Sequence, residues 1–285
     1  MSIKVKNLTK RYGEHTAVND VSFTLEPDQA FAILGRNGAG KSTIIKSLLG
    51  LKKPDSGEIL FPENLRVGYL PEERGVYTDA TVDEHIKLFG RISGVPDLKK
   101  KTIEWLQELE IEQYRDYKLK NLSKGTAQKV QLIITMLHDP DLIILDEPFS
   151  GLDPINTKLF LKVIERHAKG KYLLVSSHQM NVVESLCSGV LMLNRGNVIA
   201  QGNLDALKAK YGNHSLTLPD TPELRAFMAD YPCKYSEGEL ILTDSDDGSR
   251  VQAMLSSLLE HGILPERLHY GQMSLNDLFI YLLKE

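Results

Sequence analysis

A nine-residue run, Gly35-Arg36-Asn37-Gly38-Ala39-Gly40-Lys41-Ser42-Thr43, narrows the choice of fold more than any other stretch of the chain. It follows Phe31-Ala32-Ile33-Leu34, an apolar run of strand length. It precedes Ile44, Ile45, Leu48 and Leu49, whose three- and four-residue spacing draws one helix face. Strand, glycine-rich turn and helix in that order form the context of a phosphate-binding loop. Gly35 and Gly40 frame four residues ahead of Lys41-Ser42, as that pattern requires. Glycines at 35, 38 and 40 let the backbone turn successive N–H groups inward on a phosphate chain at the helix N-terminus. Lys41 would place a point charge at the outer phosphates, and Ser42 a hydroxyl on magnesium.

The rest of the chain must accommodate that unit. With 285 residues, 42% hydrophobic and 25% charged, there is core enough for one large domain or two smaller ones. Thirty-four basic residues stand against 38 acidic ones, a formal charge of -4, so no nucleic-acid partner is expected. No apolar run reaches the length of a membrane span, and the first residues, MSIKVKNLTKRYGEHT, lack the apolar core of a signal peptide. The expectation is a cytoplasmic chain whose membrane role, if it has one, needs a partner. Cys187 and Cys233 are isolated from one another and from any Cys/His cluster, so packing is their expected role.

In chain order, Ile3 to Leu8 and Val21 to Leu25 alternate as half-exposed strands, joined by a polar turn over Lys10-Arg-Tyr-Gly-Glu-His. Tyr12 in that turn reads as a loop-packing residue or as a platform for a nucleotide base. Glu58-Ile-Leu-Phe and Val67-Gly-Tyr-Leu are further strands, and Leu70 to Tyr77 a polar connecting loop. From about Thr78 to Pro140 the pattern becomes helical, and Ser123 is placed to cap a helix running from Lys124 to about His138. Leu142-Ile-Ile-Leu then ends in Asp146-Glu147. Two carboxylates at the mouth of a buried strand are costly without a cation or water beside them. Next to a phosphate loop they read as a Walker B strand, with Asp146 holding magnesium and Glu147 orienting or deprotonating the attacking water. Tyr172-Leu-Leu-Val ends at Ser176-Ser177-His178, on the side where open α/β sheets bind ligands. A hairpin over Val190 to Ala200, a short helix over Asn203 to Tyr211 and a boundary near Gly212 follow. Beyond them lies a small α+β stretch without clustered catalytic residues.

Taken together, residues 2 to 212 resemble the ATP-binding subunit of an ABC transporter. Seven elements occur in one order: Tyr12 at the A-loop, Gly35 to Thr43 at Walker A, Glu72 at the Q-loop, and Leu122-Ser-Lys-Gly-Thr at the signature. Leu142 to Glu147 falls at Walker B, Ser150 to Asp153 at the D-loop and His178 at the switch histidine. The phrases LPEERGVY and DEPFSGLDP are similar to those of bacterial multidrug and sodium exporters, YhaQ-like subunits among them. The resemblance implies an α/β P-loop NTPase cassette, with a mixed core sheet, an antiparallel β subdomain and a helical subdomain over about 78 to 140. A small α+β accessory domain over 213 to 285 would follow.

It also implies an ATPase that uses ATP and Mg2+, pairs with a second ATP-binding subunit and drives integral membrane permease subunits, most simply for export. The chain would then lie peripherally on the inner face of the cell membrane. Glu147 and His178 would be catalytic. Tyr12, the loop from Gly35 to Thr43, Ser123, Gly125 and Asp153 would bind nucleotide, with Ser123 and Gly125 reaching the γ-phosphate of the opposite subunit. Ser42, Glu72 and Asp146 would serve the metal. Two positions depart from the family: Glu72 replaces the usual Gln, and the signature carries Lys124 and Thr126. Lys124 would add charge near the phosphate or point to solvent. A soluble ABC ATPase without transport, a regulatory cassette that binds ATP without hydrolysis and an unrelated phosphate-loop kinase or GTPase are the alternatives to the transporter reading.

Overall fold

The computed structural model describes residues 1–72, 79–211, 214–229, 231, 233–236, 238–244, 248–271 and 273–283. Strands β1 (Ile3–Tyr12) and β2 (His15–Leu25) pair antiparallel and carry an apolar face of Ile3, Val5, Leu8, Val21, Phe23 and Leu25. β3 (Ala30–Gly35) runs into the glycine loop and α1 (Lys41–Leu48), whose Ile44, Ile45 and Leu48 are buried as their spacing requires. β4 (Ser56–Leu60) joins β1, giving the three-stranded order β2-β1-β4. β5 (Val67–Leu70) leads to the helical insert: α2 (Val82–Ile92), α3 (Leu98–Glu108) and α4 (Lys124–Met136). A capping box between Thr81 and Glu84 starts α2, with Thr81 N donating to Glu84 at 2.9 Å.

β6 (Leu142–Asp146), α5 (Pro154–His167), β7 (Tyr172–Ser177), α6 (Met180–Leu186), β8 (Gly189–Asn194), β9 (Asn197–Asn203) and α7 (Leu204–Tyr211) complete the α/β layer. Its sheet has the order β5-β6-β7-β3-β8-β9, parallel from β5 to β8 and closed by antiparallel β9. The central strands are continuous apolar runs because both faces are covered. One core, around α1, lies against the antiparallel sheet. The other lies against α4, α5 and α6. Gly35, Asp146 and Ser177 therefore end three neighbouring strands on the carboxyl edge of the sheet.

Two readings of the sequence differ from this fold. The polar stretch from Lys10 to His15 is not a long turn: β1 and β2 stay paired through Arg11 opposite Thr16 and Tyr12 opposite His15, leaving Gly13-Glu14 at the bend. Asp55 makes this possible by accepting from Arg11 N at 2.6 Å and Lys10 Nζ at 3.0 Å, which holds two charged residues in extended backbone. The second difference is a strand over Cys233–Ser236, which has no β-branched residue. Gly212, expected as a boundary, and Glu73 to Tyr77 of the connecting loop lie outside the described residues.

Beyond α7 come β10 (His214–Pro219), α8 (Pro222–Phe227), β11 (Cys233–Ser236), β12 (Glu239–Asp244), α9 (Ser249–Glu260), β13 (His269–Gly271) and α10 (Leu275–Leu282). The sheet order β11-β12-β10-β13, antiparallel throughout, is the split β-α-β arrangement of a ferredoxin-like unit, with α10 added. α10 returns to the first unit: Leu278 and Phe279 share a buried cluster with Met180 and Val183 of α6. Glu184 of α6 accepts from Leu275 N at 3.2 Å and pairs with Lys208 of α7, tying three helices at one carboxylate. Both cysteines are free thiols, and burial pushes that of Cys187 up to about 12, which suits a packing residue.

Candidate nucleotide site

The glycine loop is shaped by contacts that exclude side chains at two positions. A Cβ at Gly35 would lie 2.7 Å from Ala39 Cβ and 2.8 Å from Leu193 O. Gly40, at φ +106°, would bring one to 2.4 Å from Ala17 O. The loop closes on itself through Ala39 N to Arg36 O at 3.0 Å. Lys41 is 7% exposed, and its Nζ donates to Gly35 O at 2.8 Å. Its second contact is Glu147 Oε1 at 3.7 Å. This ammonium is thus held at the mouth of the loop by one carbonyl and one carboxylate, both of which an incoming phosphate oxygen can replace.

Asp146 and Glu147 point to different partners. Asp146, 2% exposed, accepts from the Ser176 hydroxyl. Glu147, at φ +50°, has left the strand conformation for the left-handed region, where a non-glycine residue is strained. Its N–H is retained by Ser176, donating to O at 3.0 Å and Oγ at 3.2 Å. That turn sends the Glu147 carboxylate, 5% exposed, between Lys41 and His178. Oε2 lies 2.8 Å from His178 Nδ1 and accepts from His178 N at 3.3 Å. Lysine, carboxylate and imidazole thus stand in a row across the ends of β3, β6 and β7.

A cleft of about 380 Å³ opens over Lys41 and Glu147, within the range of roughly 300–1,000 Å³ typical of small-molecule sites, while His178 and Asp146 stand behind its lining. Tyr12, Asn37, Gly38, Ala39, Gly40, Lys41, Ser42, Thr43, Glu72 and Glu147 line it, together with His15 and Ala17. Tyr12 is 44% exposed, with the Lys10 ammonium 5.8 Å from its ring centre. Burial pushes the Tyr69 phenol up to about 12, and the nearby charges of Asp146 and Glu72 add to that, so Tyr69 stays neutral beneath them. Arg36 instead faces a second cavity of about 590 Å³ on the outer side of the loop, shared with Arg195 and Leu283.

Ser123, Gly125 and Asp153 are apart from this cleft. Ser123 caps α4, its Oγ accepting from Thr126 N at 3.1 Å, and Asp153 caps α5, accepting from Asn156 N at 2.9 Å. The Asn156 backbone N–H, with the Asn156 amide, holds the Asp153 carboxyl below the usual carboxylate range. The two helix starts are packed together, since a Cβ at Gly125 would meet Leu152 Cδ2 at 3.5 Å. Lys124 lies along the second of them: a Cβ at Gly151 would be 2.6 Å from its Cδ, Cε and Nζ. Lys124 remains exposed, beside that turn and outside the cleft of its own chain.

Sequence reasoning passed over His15, Ala17 and Ser176. The first two had a signal: they alternate on one face of β2, and His15 pairs across the hairpin with Tyr12. Ser176 was a polar residue ending an apolar strand, but its two partners come from β6, a register the sequence does not spell out.

Comparison with known proteins follows the same lines. The ABC transporter family pattern matches residues 18–150. The uncharacterised ABC transporter ATP-binding protein YhaQ of Bacillus subtilis is 34% identical over 295 residues, covering 98% of this chain and 97% of YhaQ. The chain belongs to the ABC transporter ATP-binding proteins. A Nod factor export ATP-binding protein I of Ralstonia nicotianae is 31% identical over 304 residues, covering 98% of this chain and 93% of that protein. A solved ATP-binding subunit of an ABC transporter superposes with a TM-score of 0.68 at 31% identity, covering 74% of this chain and 93% of that one. ABC ATP-binding domains bind and hydrolyse ATP and work with membrane permeases. No helix among the described residues of this ABC subunit is long and apolar enough to cross a membrane.

Proposed function

We propose that this chain is the ATP-hydrolysing subunit of an exporter, with residues 2–212 as the cassette and 213–285 as an accessory domain. The observation that carries the catalytic assignment is the row Lys41–Glu147–His178, with Glu147 3.7 Å from one cation and 2.8 Å from the imidazole. Glu147 acts as the base that orients and deprotonates water for in-line attack on the γ-phosphate. His178 fixes the Glu147 carboxylate and faces the same phosphate, while Lys41 and the loop N–H groups from Asn37 to Thr43 bind the triphosphate. Tyr12 takes the base. Gly35 and Arg36 shape the loop from behind.

The donor set suits a hard cation. The Ser42 hydroxyl and the Asp146 and Glu72 carboxylates are all oxygen ligands, while no group of three His, Cys, Asp or Glu side chains among the described residues makes a metal cage by itself. Mg2+ bound by one or two carboxylates plus substrate phosphates fits that pattern. When bound, it neutralises charge developing between the β and γ phosphates. Ser42, Glu72 and Asp146 would hold it.

Ser123, Gly125 and Asp153 serve the nucleotide of a second ATP-binding subunit packed head to tail. Their separation from the chain's own cleft supports this, as does their exposure at the starts of α4 and α5. The likeness to a Nod factor export ATP-binding protein supports the export direction. The permease contact draws on Leu88 and Ile92 of α2 and on Tyr117, apolar and exposed. A subunit of this kind is peripheral on the cytoplasmic face of the membrane. Co-purification of the tagged chain from detergent-solubilised membranes tests the proposal. A stoichiometric multi-span partner with Mg2+-dependent turnover is expected, and recovery of soluble proteins or ribosomes alone would overturn the transport role.

A further inference from the structure

α10 is buried round most of its circumference. Leu275, Asp277, Leu278, Phe279, Ile280 and Leu282 are all buried, the pattern of a helix packed on two sides. On one side Ile241 of β12 joins its cluster and Lys234 of β11 donates to Tyr281 O at 3.2 Å, so α10 is held to the C-terminal sheet. On the other it packs against α6 and α7, and Leu278 and Phe279 share their cluster with Met180, Val183 and Leu207. One helix thus belongs to both units.

Glu184 is the polar anchor of that junction. The Leu275 N–H opens α10, among the first four that have no acceptor within the helix, and the Ser274 hydroxyl already accepts from Asp277 N at 3.1 Å. Glu184 Oε2 accepts from Leu275 N at 3.2 Å, which also places a negative charge at the positive end of the helix. Its Oε1 pairs with Lys208 of α7.

α6 depends on such an anchor. It has seven residues, too few for a helix to be stable by itself, and its N-cap, Gln179, makes no side-chain capping bond. His178 and Gln179 are the two residues between α6 and β7, and Ser176 of β7 is locked to Asp146 and Glu147. A shift of α6 is therefore taken up at His178 and Gln179. His178 is the residue that meets Glu147, its Nδ1 at 2.8 Å and its backbone N at 3.3 Å from Oε2.

We propose that Glu184 is a positioning residue for ATP hydrolysis. By fixing α6 to α10 and α7 it holds the His178 imidazole against Glu147, so the C-terminal unit takes part in setting turnover. This rests on the reading of Glu147 and His178 as the hydrolytic pair.

Steady-state ATPase kinetics and thermal unfolding of the full chain test the proposal. Glu184→Ala should lower kcat about two- to thirtyfold while KM for ATP stays within about twofold, since Glu184 does not line the nucleotide cleft. Glu184→Gln still presents an oxygen to Leu275 N and should recover most of the loss. In a His178→Ala background, Glu184→Ala should have no further effect. If His178→Ala leaves too little turnover to measure, the His178 ring resonances of isotope-labelled chain decide: they should shift in Glu184→Ala and return in Glu184→Gln. Glu184→Asp, with its carboxylate drawn back by one methylene, takes the place of Glu184→Ala should that variant not fold. Unchanged kcat in Glu184→Ala overturns the proposal, as does an equal fold loss with and without His178, or His178 resonances that do not move. A His178→Ala chain as fast as the parent overturns the reading of His178 itself, and the proposal with it.

Discussion

Glu147→Gln isolates the charge of the proposed base while leaving its shape. In the folded chain Glu147 faces Lys41 at 3.7 Å, a separation worth about 4 kcal/mol of Coulomb attraction at an effective dielectric of roughly 20. Much of that is offset by the desolvation of both groups, and removing one partner of a buried pair ordinarily costs about 3–5 kcal/mol. Here the cost falls, because Lys41 keeps its 2.8 Å bond to Gly35 O and the amide oxygen of Gln still accepts from His178. We expect a stability change of about 1–2 kcal/mol at most. Turnover is a separate matter: loss of a general base ordinarily lowers rate about 10²–10⁴-fold, or roughly 2.7–5.4 kcal/mol of barrier. ATP binding should be retained, and strengthened to the extent that the carboxylate repels the γ-phosphate. Steady-state ATPase rate, equilibrium nucleotide binding and thermal unfolding on one preparation separate the three effects. A variant that binds ATP and turns over within about tenfold of the parent would refute Glu147 as the base.

Ser176→Ala removes the hydroxyl shared by Asp146 and the Glu147 N–H, and a hydrogen bond to a charged group is worth about 1.5–3 kcal/mol. Thermal unfolding should fall by roughly 3–12 °C and turnover should fall with it, whereas an unchanged ATPase rate would show that Ser176 only packs. Lys124→Ala uncovers Gly151 without touching the chain's own cleft, so ATP binding should hold while turnover drops by about 0.5–2 kcal/mol of barrier, a several-fold loss. Equal turnover would sever Lys124 from the D-loop. The Arg66 N–H, at 2.9 Å from Asp141, holds its carboxyl below the ordinary value of 3.8. The folded state then binds its proton less readily than the unfolded chain. Its stabilisation is complete above about 3.8 and is lost as pH falls through the lower folded value. Asp141→Asn should flatten that part of the acid unfolding curve, as followed by circular dichroism, and leave stability near pH 7 little changed because the carboxylate is largely exposed.

What was legible in the sequence was what local chemistry dictates. The glycine spacing fixes the loop because only glycine fits against Leu193 O at position 35 and adopts φ +106° at 40. The apolar runs before Asp146 and Ser177 read as strands because both faces of the sheet are buried. Short or charged strands were harder. β11, Cys-Lys-Tyr-Ser, has no branched residue and owes its pairing to β12. The continuation of β1 through Arg11 depends on Asp55, 44 residues away. In the site, residue types were readable but their junctions were not. Ser176 joins the Asp146 carboxylate to the Glu147 backbone N–H from the neighbouring strand, and Glu147 reaches both Lys41 and His178 by a left-handed turn that no periodicity announces.

The placement of Lys124 bears on how a departure from the family pattern can be tolerated. Lys124 begins α4 in helical conformation and offers the same backbone N–H that glycine would, so the start of the helix does not demand glycine there. The long side chain has somewhere to go because Gly151, at φ +75°, presents no Cβ, and the aliphatic stem covers that turn. A Cβ at position 151 would meet the end of the Lys124 side chain at 2.6 Å, which that flexible chain can relieve by moving, so the cost of a side chain at 151 comes from its φ of +75°. The turn so covered leads from Glu147 to the Asp153 cap of α5. A glycine at 124 would remove that cover while leaving the Ser123 cap intact.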